Sequence, residues 1–240
     1  MELPKINQLK EDAFQFGVEL NEKQLFQFQK YYEMLIEWNE KINLTAITEF
    51  EEVLKKHFLD SISIGRLLSQ DDEVSILDIG TGAGFPGIPI KIAFPNVKVT
   101  LLDSLNKRVN FLKEVINELS LEEISALHGR AEDFAKKKEL REQFDFCVSR
   151  AVANLSSLSE FCLPYVKVGG KFVSYKSEKA KEELEFSKNA ISILGGGNSV
   201  CEECLLPGTE FKRTFIIINK VKCTPEKYPR KAGIPIKKPL

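Results

Sequence analysis

Between residues 77 and 87 the chain reads Leu77-Asp78-Ile79-Gly80-Thr81-Gly82-Ala83-Gly84-Phe85-Pro86-Gly87. An apolar run ends at a carboxylate, and glycines follow at alternate positions. A backbone needs glycine where it must turn tightly and approach a ligand without interference from a Cβ. The turn leads into a helix N-terminus, whose free N–H groups suit polar ligand groups. A nucleotide cofactor is the ligand class such a turn serves, and two kinds compete for it.

A dinucleotide wants Gly-x-Gly-x-x-Gly directly after the strand. Counted from Gly80, the third glycine position is Phe85. Counted from Gly82, the match Gly82, Gly84, Gly87 exists, but it is displaced from the strand end and contains Pro86. Asp78 would also lie beside the pyrophosphate and repel it. S-adenosylmethionine (SAM) has no phosphate and carries an ammonium and a sulfonium that a nearby carboxylate favours. The order acidic-x-Gly-x-Gly-x-Gly therefore reads as the first motif of a class I SAM-dependent methyltransferase. Asp103 ends the next apolar run, where the ribose hydroxyls of an adenosine lie in such folds. Two charge-assisted hydrogen bonds of about 1.5–3 kcal/mol each would make it an anchor. Beyond the third run, Arg130-Ala131-Glu132-Asp133 falls where the adenine edge is contacted.

The acceptor side follows the fourth run, at Phe144-Asp-Phe-Cys-Val-Ser-Arg150. The Asn/Asp-Pro-Pro-aromatic motif of exocyclic amine methylation is absent. Cys147 lies inside a strand and no Pro-Cys pair occurs, which argues against attack on pyrimidine C5. Acceptors with a free lone pair remain: guanine N7, or a ribose or carboxylate oxygen. Cys201-Glu-Glu-Cys204 has no second cysteine pair, and the chain has only two histidines. A four-ligand metal site is therefore not expected. A nicotinamide oxidoreductase is disfavoured by Asp78 and the glycine spacing. A non-catalytic RNA-binding module would have no need of the turn.

The elements that must hold these residues follow from pattern. The first seventy residues read as helical, with Leu25, Phe28, Tyr32 and Leu35 near helical spacing. Thr48-Glu-Phe-Glu51 has the form of a capping box. From residue 74 short β-branched runs alternate with amphipathic stretches. Strands are expected over 74–79, 97–102, 124–127, 144–148 and 171–175, the last after a Gly169-Gly170 turn. Helices are expected over 104–119, 155–165 and 178–193. Strands over 200–206 and 214–221, joined at Pro207-Gly208, close the series as an antiparallel hairpin at one edge. The fold class is thus α/β, Rossmann-like, with a seven-stranded, mostly parallel sheet and a helical N-terminal extension. The expected divisions are a helical cap over 1–72, the cofactor-binding domain over 73–222 and a tail over 223–240.

At 240 residues, 43% hydrophobic and 29% charged, the chain is neither disordered nor fibrous. Its net charge is −1, so any nucleic-acid site must be a local patch. Residues 219–240 supply one: seven cations stand against the single Glu226, a net charge of +6. Four prolines there suggest an extended, solvated segment. No membrane span or export signal is visible. Five cysteines, an odd number, suggest free thiols in the cytoplasm.

Taken together, Trp38-Asn39-x-x-x-Asn43-Leu44-Thr45, His57-x-x-Asp60-Ser61, the Leu77–Gly87 turn, Asp103-Ser104-x-x-Lys107-Arg108, Arg130-Ala131-Glu132, Ser149-Arg150-Ala151 and Tyr228-Pro-Arg-Lys-x-Gly-x-Pro235 resemble the RsmG (GidB) family of bacterial 16S rRNA guanine-N7 methyltransferases. The resemblance runs from about residue 20 to the end, in motif order. It implies SAM as donor and a guanosine in the decoding-region loop of the small ribosomal subunit as acceptor; apart from the resemblance, a monomer is expected. It implies that Asp78, Gly80, Gly82, Gly84 and Phe85 form the cofactor loop and that Asp103 is the ribose ligand. Ala131 and Glu132 would frame the adenine, and Arg150 would face cofactor and acceptor. Arg130, Lys176, Arg230 and Lys231 would be RNA contacts. Ser177 departs from the small residue or glycine expected after Lys176.

Overall fold

The computed structural model describes residues 3–150, 153–176 and 179–240. Position 151 of the Ser149-Arg150 motif and the departure at position 177 lie outside them.

The β-branched runs form strands, as their composition predicts. They are β1 (Ser75–Ile79), β2 (Lys98–Asp103), β3 (Ile124–His128), β4 (Phe144–Arg150), β5 (Val166–Lys176), β6 (Gly196–Leu205) and β7 (Lys212–Lys220). They make one seven-stranded sheet in the order β3-β2-β1-β4-β5-β7-β6. β1 to β5 pair in parallel, and β7 runs antiparallel to both β5 and β6. The chain moves outward from β1 to β3 and then returns to β4 on the other side of β1. Ligands bind at such a switch point, outside the carboxyl ends of the strands. Here those ends carry Asp78, Asp103 and Arg150.

Side chains alternate across the sheet and bury two faces. Ile76, Val99, Leu101, Val148 and Ile217 join one cluster, whereas Leu77, Leu102, Cys147, Phe172 and Ile218 join the other. The N-terminal helices α1 (Leu3–Phe14) and α2 (Glu22–Ile42) belong to the first cluster, with α5 (Gly87–Ala93) and α6 (Asn106–Glu118). The second is covered by the short α7 (Ala131–Phe134), α8 (Leu155–Cys162) and α9 (Ala180–Ile193). The expected helical cap thus shares the core of the sheet.

Four details differ from the sequence pattern. The capping box forms at Asn21 and Gln24, which opens α2, and not at Thr48. The next helix begins as α3 (Phe50–Val53), with no side-chain cap. Phe50 is drawn in against Tyr32, ring centroids 4.6 Å apart, and burial outweighs the cap. α3 passes into a π-helical segment (Leu54–Leu59) and then α4 (Asp60–Ile62). On α2 it is Tyr31, not Tyr32, that is fully buried. The Gly169-Gly170 pair lies inside β5, beside a register irregularity at Phe144 and Phe146.

The tail is the fourth difference. It folds back rather than extending into solvent. Tyr228 is buried, Arg141 donates to the carbonyls of Thr224 and Tyr228, and Ser157 Oγ donates to Pro235 O. A short helix, α10 (Ile234–Lys237), ends the chain. The prolines remove N–H donors, but the carbonyls around them find donors on the domain.

Candidate active site

Asp78 is the penultimate residue of β1 and is fully buried. Its Oδ2 accepts from Thr81 Oγ1 at 2.6 Å and Gly87 N at 2.8 Å, which closes the glycine turn upon itself. Its Oδ1 finds no hydrogen-bond partner among the described residues. Burial raises the Asp78 pKa to about 7, against the opposing pull of those two bonds. From the other side, Tyr31 Oη donates to Ala83 O. Gly84 (φ +96°) is required by that packing: a Cβ there would come within 2.6 Å of Tyr31 Oη and Ile88 Cδ1. Gly82 (φ +62°) is different. A Cβ there would meet only Gly80 O, at 4.0 Å, so the space beside it is left open.

Asp103, at the end of β2, accepts from Gly82 N and Leu105 N, both at 2.9 Å. Arg108 approaches the same carboxylate at 3.6 Å. A carboxylate offers about four lone-pair sites, so capacity for sugar hydroxyls remains.

Two cavities open on either side of the turn, and Gly80 lines both. The smaller, about 170 Å³, is walled by Leu102, Ser104, Arg130, Ala131, Glu132 and Phe161 together with Gly233 and Ile236 of the tail. The larger, about 590 Å³, holds Gly82, Phe85, His57, Arg150 and Lys176, with Lys56, Arg108 and Arg213. The fully buried Asp60 organises its floor. Its carboxylate accepts from Arg150 Nη1 at 2.6 Å and from Arg213 Nε and Nη2 at 2.5 and 2.7 Å. The Arg150 guanidinium lies 5.1 Å from the Phe85 ring centre. His57 stacks on Phe85 with ring centres 4.5 Å apart, and its Nε2 is 2.9 Å from Thr45 Oγ1. Burial, reinforced by the Arg150 charge, lowers the His57 pKa to about 4. The imidazole is therefore neutral at pH 7.

The expected site residues divide by role. Gly80, Gly82, Phe85, Arg150 and Lys176 line the larger cavity, and Gly80, Arg130, Ala131 and Glu132 the smaller. Asp78, Gly84 and Asp103 line neither; they hold the turn in shape. Lys176 Nζ donates to Glu183 Oε2 at 2.8 Å and to Ala153 O. Arg230 gives its backbone N–H and its guanidinium to the buried Glu160, and Lys231 is exposed. Cys201 and Cys204 pack against opposite faces of the sheet, so they cannot share a metal. His57, Asp60, Arg213 and Gly233 were not singled out as site residues. Arg213 stands 153 positions from Asp60 and carries no local signal of the pair.

The donor set suits a cation and sugar hydroxyls better than a pyrophosphate, since three carboxylates (Asp78, Asp103, Glu132) surround the turn. With the strand order and the glycine turn at the switch point, it defines a class I SAM-dependent methyltransferase fold. The same fold occurs in a SAM-dependent methyltransferase from Aquifex aeolicus (TM-score 0.52, 18% identity, 71% of this chain and 93% of that one). It also occurs in TYW2 from P. horikoshii in complex with MeSAdo (TM-score 0.53, 16% identity, 68% and 61%). Within that class the chain belongs to the GidB family, rRNA small subunit methyltransferase G, whose model matches residues 24–211. Proteins named ribosomal RNA small subunit methyltransferase G from Lachnoclostridium phytofermentans and Alkaliphilus metalliredigens are 57% and 51% identical to it. They match over 93% and 97% of both chains, respectively.

Proposed function

We propose that this protein methylates N7 of one guanine in the decoding-region loop of 16S rRNA, with SAM as donor, acting as a cytoplasmic monomer. When bound, SAM supplies an electrophilic methyl group on a positively charged sulfur. Gly80 and Gly82 leave the backbone bare beside the two cavities, Asp103 anchors the ribose, and Ala131 and Glu132 frame the adenine. Guanine N7 has a free lone pair and needs no deprotonation. The task of the chain is therefore to position the acceptor and keep water out, which supplies most of the rate for such a reaction. Arg150, held by Asp60, orients the base from the floor of the larger cavity.

The wall of that cavity carries the reading. Five cations (Lys56, Arg108, Arg150, Lys176 and Arg213) line it. Its one imidazole, His57, has its pKa held near 4, and the carboxylates in the wall are taken up by cations, Asp60 by two arginines and Glu183 by Lys176. Such a wall suits a polyanion whose reacting atom needs no base. Arg130 and Lys231, both exposed, reach backbone phosphates, while Arg230 sets the tail through Glu160. The described residues contain no helix long and apolar enough to cross a membrane.

The test is label transfer from SAM to small-subunit particles of a strain lacking this gene. RNA should take up the label, and transfer at limiting RNA should fall steeply between 50 and 200 mM salt, on the order of tenfold or more, because phosphate contacts release counterions. Label in protein or small molecules, insensitive to salt, would overturn the proposal.

A further inference from the structure

We infer that the C-terminal tail is part of the cofactor site: residues 233–236 close the adenosine pocket, and Ile236 supplies an apolar wall to it. The inference rests on the smaller cavity being the adenosine half of a SAM site. The tail lies beyond residue 211, where the family match ends.

Gly233 and Ile236 stand in the wall of that cavity with Phe161, Ala131 and Glu132. Glu132 does two things there. Its side chain borders the cavity, and its Oε1 accepts from Gly233 N at 2.9 Å, so the tail is bonded to the wall it completes. Ser157 Oγ fixes the next turn through Pro235 O at 2.7 Å. Upstream, Arg230 clasps Glu160, which has no solvent exposure of its own. Such a buried carboxylate demands its partner, and this fixes where residues 233–236 fall. Ile236 is nevertheless 57% exposed. A bound adenosine would cover that apolar side chain, and the burial contributes to affinity. The basic residues of the segment (Lys231, Lys237 and Lys238) are all exposed. One short segment thus presents an apolar inner side to the pocket and cations outward.

The test is calorimetry of SAM and S-adenosylhomocysteine binding to three proteins: the full chain, a chain ending at Ala232, and full-length Ile236→Asp. Unliganded melting temperatures are read in parallel. The shortened chain keeps Tyr228 and the Arg230–Glu160 pair, and Ile236 is exposed, so both variants should melt within a few degrees of the full chain. Both should lose affinity for the two ligands by about tenfold or more. If the shortened chain does not fold, Ile236→Asp alone decides. Wild-type affinity in a folded variant overturns the inference. A full chain that binds neither ligand overturns the cofactor reading itself, which is a different result from loss in the variants only.

Discussion

Two aspartates stand at the carboxyl ends of adjacent strands, one the penultimate residue and one the last, and they do different work. Asp78 faces inward and shapes the turn, whereas Asp103 holds Gly82 and Leu105 with lone pairs to spare. Asp103→Ala should leave the fold in place and weaken SAM binding by at least about tenfold, the equivalent of one charge-assisted bond. Unchanged affinity by calorimetry would remove its role as ribose anchor. The raised Asp78 and the lowered His57 have opposite consequences for stability. His57 folds as a neutral ring with a pKa near 4 against 6.5 unfolded. Its contribution is full above pH 6.5 and is lost as pH falls toward 4, on the order of 3 kcal/mol in all. Asp78, near 7 folded against 3.8 unfolded, contributes fully below 3.8 and loses that contribution as pH rises through 7. In the native protein the two offset each other over pH 4–6.5. Urea unfolding should separate them. On acidification from pH 7 to 4, His57→Gln should gain stability relative to wild type, and Asp78→Asn should lose it. Parallel curves for all three proteins would contradict both assignments.

At the scale of elements, the π-helical segment (Leu54–Leu59) matters most. Its wider turns precede Asp60 and carry Lys56 and His57 to the cavity, a location common for π segments. Asp60 then ties this helical layer to β4 through Arg150 and to β7 through Arg213. Asp60→Ala would leave two largely buried guanidinium groups without their carboxylate, and should cost about 3–5 kcal/mol in denaturant unfolding. A loss below about 1 kcal/mol would mean that the hub is incidental. The π segment and the Arg213 arm of the hub were not legible from pattern, because residues 54–59 show the apolar spacing of an ordinary helix and Arg213 lies far from Asp60 in sequence. What was legible depended on local signals. β-branched runs marked the strands, and the Asp78–Gly87 turn needed only its own glycines and carboxylate. Thr48-Glu-Phe-Glu51 misled for the same reason: a local cap yielded to the burial of Phe50. The docked tail was hidden too, since its anchors (Glu160, Arg141, Ser157) lie far away in sequence and its prolines read as extension.

Across the whole molecule, one topological fact gathers the site. The chain reverses direction across the sheet at β1, so β1, β2 and β4 end side by side. The N-terminal helices reach the turn through Tyr31, and the tail reaches it from the opposite end of the sequence through Gly233. Charge is divided in the same way. The chain is nearly neutral, yet the tail is strongly basic and the larger cavity is lined with cations. The measurement that tests the account most directly is the position of the transferred methyl. Small-subunit particles from a strain lacking this gene would be methylated in vitro, and their rRNA cleaved by strand scission at N7-methylguanine. The account predicts a single cut in the decoding-region loop of 16S rRNA, absent when SAM or protein is omitted. Methylated RNA that resists scission would contradict it, because the methyl would then sit on an atom other than guanine N7.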